Sequence, residues 1–172
     1  NGWLEPLDDL WEKYSDEYKL DDFPPAVMDA VSHNGHIYGM PILTNTELFF
    51  YRKDLFEEAG IAPPTTMDEY MEVAAKFDSG RMSGTIMSLK PVDAALNESH
   101  WYLNALGEGW FDENWRPIFN DEAGVAAIAR LKEMSQYAPR GFTAHANDES
   151  TINLQQGLAA MRDAFRNSVK GL

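Results

Sequence analysis

Three tryptophans fall close together in the second half of the chain: Trp101, Trp110 and Trp115. Asn104 follows Trp101 by about one helical turn and can share its face. Flat aromatic faces cover C–H groups, and a carboxamide both donates and accepts hydrogen bonds. The pair suits a polyhydroxylated compound, which carries hydroxyls at its edge and C–H groups on its faces. Trp101 is expected on the outer side of its helix, where the core needs it less. Trp110 is the second platform, and Trp115 sits in a turn.

Other chemistries find less support. Gly-x-Ser-x-Gly, His-Glu-x-x-His and phosphate-loop patterns are absent. The chain has 28 acidic residues, so some carboxylate pair is always available and abundance says nothing about a glycosidase. His33 and His36 flank an Asn34-Gly35 turn, but no third metal ligand is in sight. Asp112-x-Asn114 lacks the Gly and terminal Glu of a calcium loop and reads as a hairpin tip. With no cysteine, thiolate metal sites and disulfides are excluded. A net charge of −14 disfavours nucleic acid and anionic membranes as partners. The residues therefore point to binding rather than catalysis, with no cofactor and no metal. A stand-alone carbohydrate-recognition module and a carbohydrate-active enzyme are the alternatives.

Strands and helices must position these groups. Strands are expected over Ile37–Leu43 and Glu47–Tyr51, with a buried one over Gly84–Ser88. Helices are expected over Trp11–Tyr18 and Lys53–Ala59, the latter closed by Gly60. Thr66 and Glu69 form a capping box ahead of a stripe of Met67, Tyr70, Met71, Ala74 and Phe77. Further stripes run through Val92, Ala95, Leu96, Ser99, Leu103 and Leu106, and through Val125, Ile128, Leu131 and Met134 after an Asn120 cap. Asp148 caps a last helix with Thr151, Leu154, Leu158 and Met161 inward. The alternation indicates an α/β fold, with few, short strands for its helices.

Five blocks in order carry a family resemblance. They are Asn1–Asp8, then Gly35-His36-Ile37-Tyr38-Gly39-Met40-Pro41 with Thr44-Asn45-Thr46, then Arg52–Gly60 with Pro63–Glu69. Trp110-Phe111-Asp112 with Pro117–Asn120 is the fourth, and Leu154–Met161 the fifth. Together they resemble type-I extracellular solute-binding proteins of ABC importers, where the chain crosses between two lobes. The resemblance implies a periplasmic-binding-protein-like lobe, incomplete relative to the two-lobed fold. Residues 1–44 would lead into the crossover, 45–161 would form the second-lobe domain, and 162–172 would depart from the family pattern. It implies capture of a sugar, oligosaccharide or polyol and delivery to the permease subunits of an importer. The protein would be a monomer in the periplasm or outside the cell, lipid-anchored in its full-length precursor. By family position Thr44 and Asn45 contact the solute. Family members place ligand-facing groups in the loop before the last helix, where His145 and Asn147 would hydrogen-bond the solute.

Overall fold

The computed structural model describes residues 2–43, 45–107 and 109–165. The chain divides into two units, Asn1–Thr46 and Glu47–Leu172.

In the first unit, α1 spans Asp8–Tyr18 and α2 spans Pro25–Val31. Pro25 suits a first helical position, where its missing N–H would have had no partner. A two-stranded hairpin follows, β1 (Ser32–His33) and β2 (His36–Ile37). Asn34 and Gly35 at its tip have φ of 50° and 81°, the left-handed geometry that matches strand twist. Asp8 ties the start of α1 to β2. Its Oδ2 lies 2.9 Å from His36 Nδ1, and its Oδ1 accepts the Ile37 N–H at 3.1 Å. Both contacts hold the Asp8 carboxyl below the usual carboxylate range. The strand expected to run on to Leu43 ends at Ile37. Pro41 has no N–H to give to a ladder, and Ile42 and Leu43 are exposed.

The second unit is built on β3 (Glu47–Tyr51), which pairs antiparallel with β4 (Met161–Phe165). The register sets Glu47 opposite Phe165, Phe49 opposite Asp163 and Tyr51 opposite Met161. Side chains alternate across the pleat. One face therefore carries Glu47, Phe49, Tyr51, Met161 and Asp163, and the other Leu48, Phe50, Arg162 and Ala164. The boundary drawn after Met161 falls inside this ladder, so 162–165 continues the fold. Two adjacent charged residues in the strand interior disguise it.

Helices α3 (Lys53–Ala59), α4 (Met67–Phe77), α5 (Asp93–Leu106) and α6 (Glu122–Met134) come next in the chain. The main core joins Phe56, Tyr70, Phe77, Tyr102, Leu131 and Met161, with Phe49 packed against it. A smaller cluster of Ile86, Leu154 and Ala159 takes Phe50 from the other sheet face, beside α7 (Asn147–Gln155). Gly60 closes α3 at φ 65°, and the Thr66–Glu69 capping box forms as the residues dictate. The stretch from Thr85 to Ser88 is buried as expected but forms no regular ladder. Ser83 bridges Ala159 in parallel, and then Thr85, Leu89 and Lys90 donate to carbonyls of Tyr137, Phe142 and His145. Irregular turns, not a strand, satisfy its backbone.

Two helix faces differ from the apolar stripes. The inner face of α5 is Ala94, Glu98, Tyr102 and Leu103, while Val92, Leu96 and Leu106 are exposed. The inner face of α6 is Gly124, Ala127, Leu131 and Met134, leaving Val125 and Ile128 outside. Small residues win there because the helix approaches closely: a Cβ on Gly124 would lie 1.9 Å from the Phe119 carbonyl oxygen. Asp121, not Asn120, caps α6 by accepting the Gly124 N–H at 2.7 Å. Asp148 does not cap α7; Glu149 accepts the Ala146 N–H at 3.0 Å instead. Leu158 is exposed beyond α7, and Met161 belongs to β4.

Candidate functional site

Ser83 and Ala159 bridge in parallel, and the chain runs on from Ala159 into β4. Ser88 and Phe165 therefore lie toward the same end of the second unit. Because β3 is antiparallel to β4, Glu47 lies at that end too. Carboxyl ends of parallel segments are where open α/β folds bind their ligands.

Three carboxylates meet there. Glu47 and Asp163 are diagonal neighbours on one sheet face. Glu98 comes from the inner face of α5, and its Oε2 accepts the Ser88 N–H at 3.0 Å. Asp163 and Glu98 are each only 5% exposed, and Asp163 Oδ1 is buried without a hydrogen-bond partner. Burial and the neighbouring Asp163 carboxylate push Glu47 up to about 7, with Arg162 opposing. Burial likewise raises Glu98 and Asp163. Removing a charge from water disfavours the charged form, and like charges add to that.

Among the described residues the one buried cation, Arg162, projects from the opposite strand face. Its Nε donates to the Asp163 carbonyl at 2.8 Å, and its Nη1 to Thr151 Oγ1 at 3.1 Å. Burial lowers its pKa. Ser88 Oγ donates to Ser150 Oγ at 2.7 Å, and Tyr70 hydrogen-bonds Thr85 through their hydroxyls.

A hollow of about 580 Å³ opens beside this face. Phe49, Tyr70, Trp101 and Met67 give it apolar walls, and Thr66 and Arg130 add polar groups. The rings meet edge to face: Phe49–Tyr70 at 5.7 Å and Tyr70–Trp101 at 5.4 Å between centroids. Such contacts fix ring planes more firmly than area burial alone. Arg130 is held by Asp68 at 2.8 Å. The capping box at the start of α4 sets the rim, with Glu69 accepting N–H groups of Thr65 and Thr66 at 2.7 and 3.2 Å.

The residues singled out from sequence separate into groups. Trp101 lines the hollow, half-buried against Tyr70 and Tyr102. Asn104 and Trp110 meet through His100. The Trp110 indole donates to His100 Nδ1 at 2.8 Å. An indole only donates, so Nδ1 is unprotonated and Nε2 carries the hydrogen. Asn104 Nδ2 lies 2.7 Å from Nε2, so with Nε2 protonated the carboxamide has to be turned about to accept that hydrogen through its oxygen. His145 gives its carbonyl to Lys90, while its buried Nδ1 has no partner. Asn147 opens α7 and gives its carbonyl to Thr151 Oγ1 at 2.8 Å. Asn45 is exposed in the first unit, and Thr44 lies outside the described residues. Trp115 is 81% exposed on the hairpin. Sequence reasoning passed over Glu98, Asp163 and Tyr70. The signal for Glu98 was its place at helical spacing between Ala94 and Tyr102, a carboxylate on a core-facing stripe. Among the described residues no group of three or more His, Asp or Glu is arranged to hold a metal ion.

Comparison with known proteins gives this geometry a context. The profile of the bacterial extracellular solute-binding protein family matches residues 1–165. A mannitol-binding protein of Pseudomonas aeruginosa is 30% identical over 166 residues, covering 93% of this chain and 37% of the relative. The sn-glycerol-3-phosphate-binding periplasmic protein of Escherichia coli K12 is 27% identical over 178 residues, covering 98% of this chain and 40% of the relative. The crystal structure of an ABC transporter solute-binding protein from Agrobacterium radiobacter K84 in complex with ribitol superimposes with a TM-score of 0.90. It is 26% identical, and the match covers 98% of this chain and 43% of that one. The chain thus spans less than half the length of the curated relatives it matches.

Proposed function

Because this chain belongs to the bacterial extracellular solute-binding protein family, we propose that it forms part of a protein that captures a small sugar, oligosaccharide or polyol for an ABC-type importer. One observation carries this reading: an aromatic hollow with Trp101 in its wall lies beside a sheet end rich in hydrogen-bond acceptors. Aromatic faces cover the C–H surface of such a solute, and carboxylates and amides take its hydroxyls. The relatives named for mannitol and ribitol favour a linear polyol. Residues 1–44 would then lead into an inter-lobe crossover and 45–161, continued by strand residues 162–165, would build the second lobe. Asn45, His145, Asn147 and the Asn104–Trp110 pair are further contacts on this reading, as is Thr44. The protein works in the periplasm or outside the cell, lipid-anchored in its precursor, and hands its solute to permease subunits as a monomer. It carries out no catalysis of its own.

The test is calorimetric titration of the full-length protein with a panel of sugars and polyols, repeated on Trp101→Ala. Losing one aromatic wall should weaken binding by about tenfold or more, equivalent to 1.4 kcal/mol, while cooperative unfolding persists. Unchanged affinity in a folded variant removes Trp101 from the site. Absence of binding by every member of the panel overturns the reading.

A further inference from the structure

The polar side chains that line the hollow divide into those spent on the fold and those that are not. Thr65 gives its backbone N–H and its hydroxyl to Glu69 Oε2, at 2.7 and 2.8 Å. Thr66 gives its N–H to the same oxygen and its hydroxyl oxygen accepts the Glu69 N–H, both at 3.2 Å. The Tyr70 hydroxyl bonds that of Thr85 in the interior. These groups serve the capping box and the core. Asp68 and Arg130 are the charged groups that remain.

Asp68 stands in the first turn of α4 and Arg130 on α6, so the pair joins two helices at the hollow. Arg130 Nη2 lies 2.8 Å from Asp68 Oδ1. Its Nη1 lies 3.5 Å from Met71 Sδ and 3.7 Å from Glu133 Oε2. These contacts hold the guanidinium plane in place. Among the described residues, Asp68 Oδ2 and the Arg130 Nε–H have no partner. The pair is also open, with side-chain exposures of 77% for Asp68 and 30% for Arg130. An ion pair this exposed adds little to folding.

A carboxylate only accepts hydrogen bonds and a guanidinium only donates them. Side by side, they suit two hydroxyls on adjacent carbons: one donates to Asp68, and its neighbour accepts from Arg130. Both bonds are charge-assisted, and the planar guanidinium fixes their direction. Trp101 lines the same hollow, so a solute with its C–H surface on the indole can turn a hydroxyl edge to the pair. Resting on the solute-capture reading above, we propose that Asp68 and Arg130 are specificity-determining residues of the hollow. Together they read one vicinal diol and so choose among polyhydroxy solutes by where that diol sits.

The experiment is calorimetry on the full-length protein with D-mannitol, ribitol, D-glucose and maltose. Whichever binds tightest is then compared with its monodeoxy derivatives. The series is repeated on Asp68→Ala, Arg130→Met and Glu133→Gln, with thermal unfolding of each. Glu133 faces the same guanidinium but does not line the hollow, so its variant reports any purely structural effect. Loss of a hydrogen bond to a charged group should weaken binding at least about tenfold in Asp68→Ala and in Arg130→Met, with Glu133→Gln within about twofold. In the wild type, removing either of two adjacent hydroxyls should cost at least about tenfold. One of these penalties should vanish in Asp68→Ala and the other in Arg130→Met, as in a double-mutant cycle. A folded variant with unchanged affinity, or with both penalties intact, overturns the assignment and leaves solute capture standing. A wild-type deoxy profile without two adjacent sensitive positions overturns the diol reading, whether or not the variants fold. If no member of the panel binds, solute capture is overturned and this inference falls with it.

Discussion

Glu47→Gln should change stability in a pH-dependent way whose sign the structure dictates. The Glu47 carboxyl is raised from 4.5 to about 7, by burial first and by the Asp163 carboxylate second. Between those values the folded protein binds more protons than the unfolded chain. The stability that Glu47 contributes is therefore fully present below about pH 4.5 and is lost as pH rises through about 7. Undiluted, the displacement would correspond to roughly 3 kcal/mol. Glu47 keeps solvent contact at the strand end, so screening reduces this to about 1–2 kcal/mol. Glutamine mimics the protonated form in shape and charge. The Tm of the variant should match that of the wild type near pH 4 and exceed it by roughly 3–6 °C near pH 8 for a chain of this size. Differential scanning calorimetry across that range, read as variant minus wild type, cancels the titration of every other acid. A difference that stays flat with pH, or turns negative at the alkaline end, would refute the claim that Glu47 sits desolvated beside a second carboxylate.

Two packing predictions follow from close backbone approach and from capping. Gly84→Ala places a methyl group 1.9 Å from the Ala74 carbonyl oxygen and 2.5 Å from its carbon. Helix backbone cannot yield like a flexible side chain, so about 1–3 kcal/mol of stability should be lost in urea unfolding; a loss below about 0.5 kcal/mol would mean that α4 can move away freely. Thr66→Ala removes the hydroxyl that accepts the Glu69 N–H at 3.2 Å and should cost about 1 kcal/mol, largely restored by Thr66→Ser. Equal losses from alanine and serine would show that the methyl group, not the cap, matters.

What could be read from the residues was what is local. The ends of α3, the extent of β3, the Asn34-Gly35 turn and the Thr66–Glu69 box each follow from a few neighbouring residues. The inner faces of α5 and α6 did not, because contact distance overrides hydrophobicity. Gly124 and Ala127 face inward as the residues small enough for a close approach, and the larger Val125 and Ile128 are left outside. The stretch from Gly84 to Ser88 is apolar and buried, yet its partners are turns far along the chain, which no periodicity announces. At the candidate site, the expected aromatic Trp101 stands in the wall of the hollow. The pairing of Asn104 with Trp110 through His100 required the hairpin to fold back onto α5.

The residues that concealed β4 are also those that give the sheet end its character. Arg162 and Asp163 sit at interior strand positions where Val or Ile would suit the ladder better, and Glu98 holds a helix position that an apolar residue would fill. Each breaks a local rule and takes up buried charge that folding alone does not require. Desolvating three carboxylates against one guanidinium costs stability, and the upward displacement of Glu47, Glu98 and Asp163 records that cost. Local rules fail most informatively at functional sites, where a protein tolerates such a cost for what the groups do.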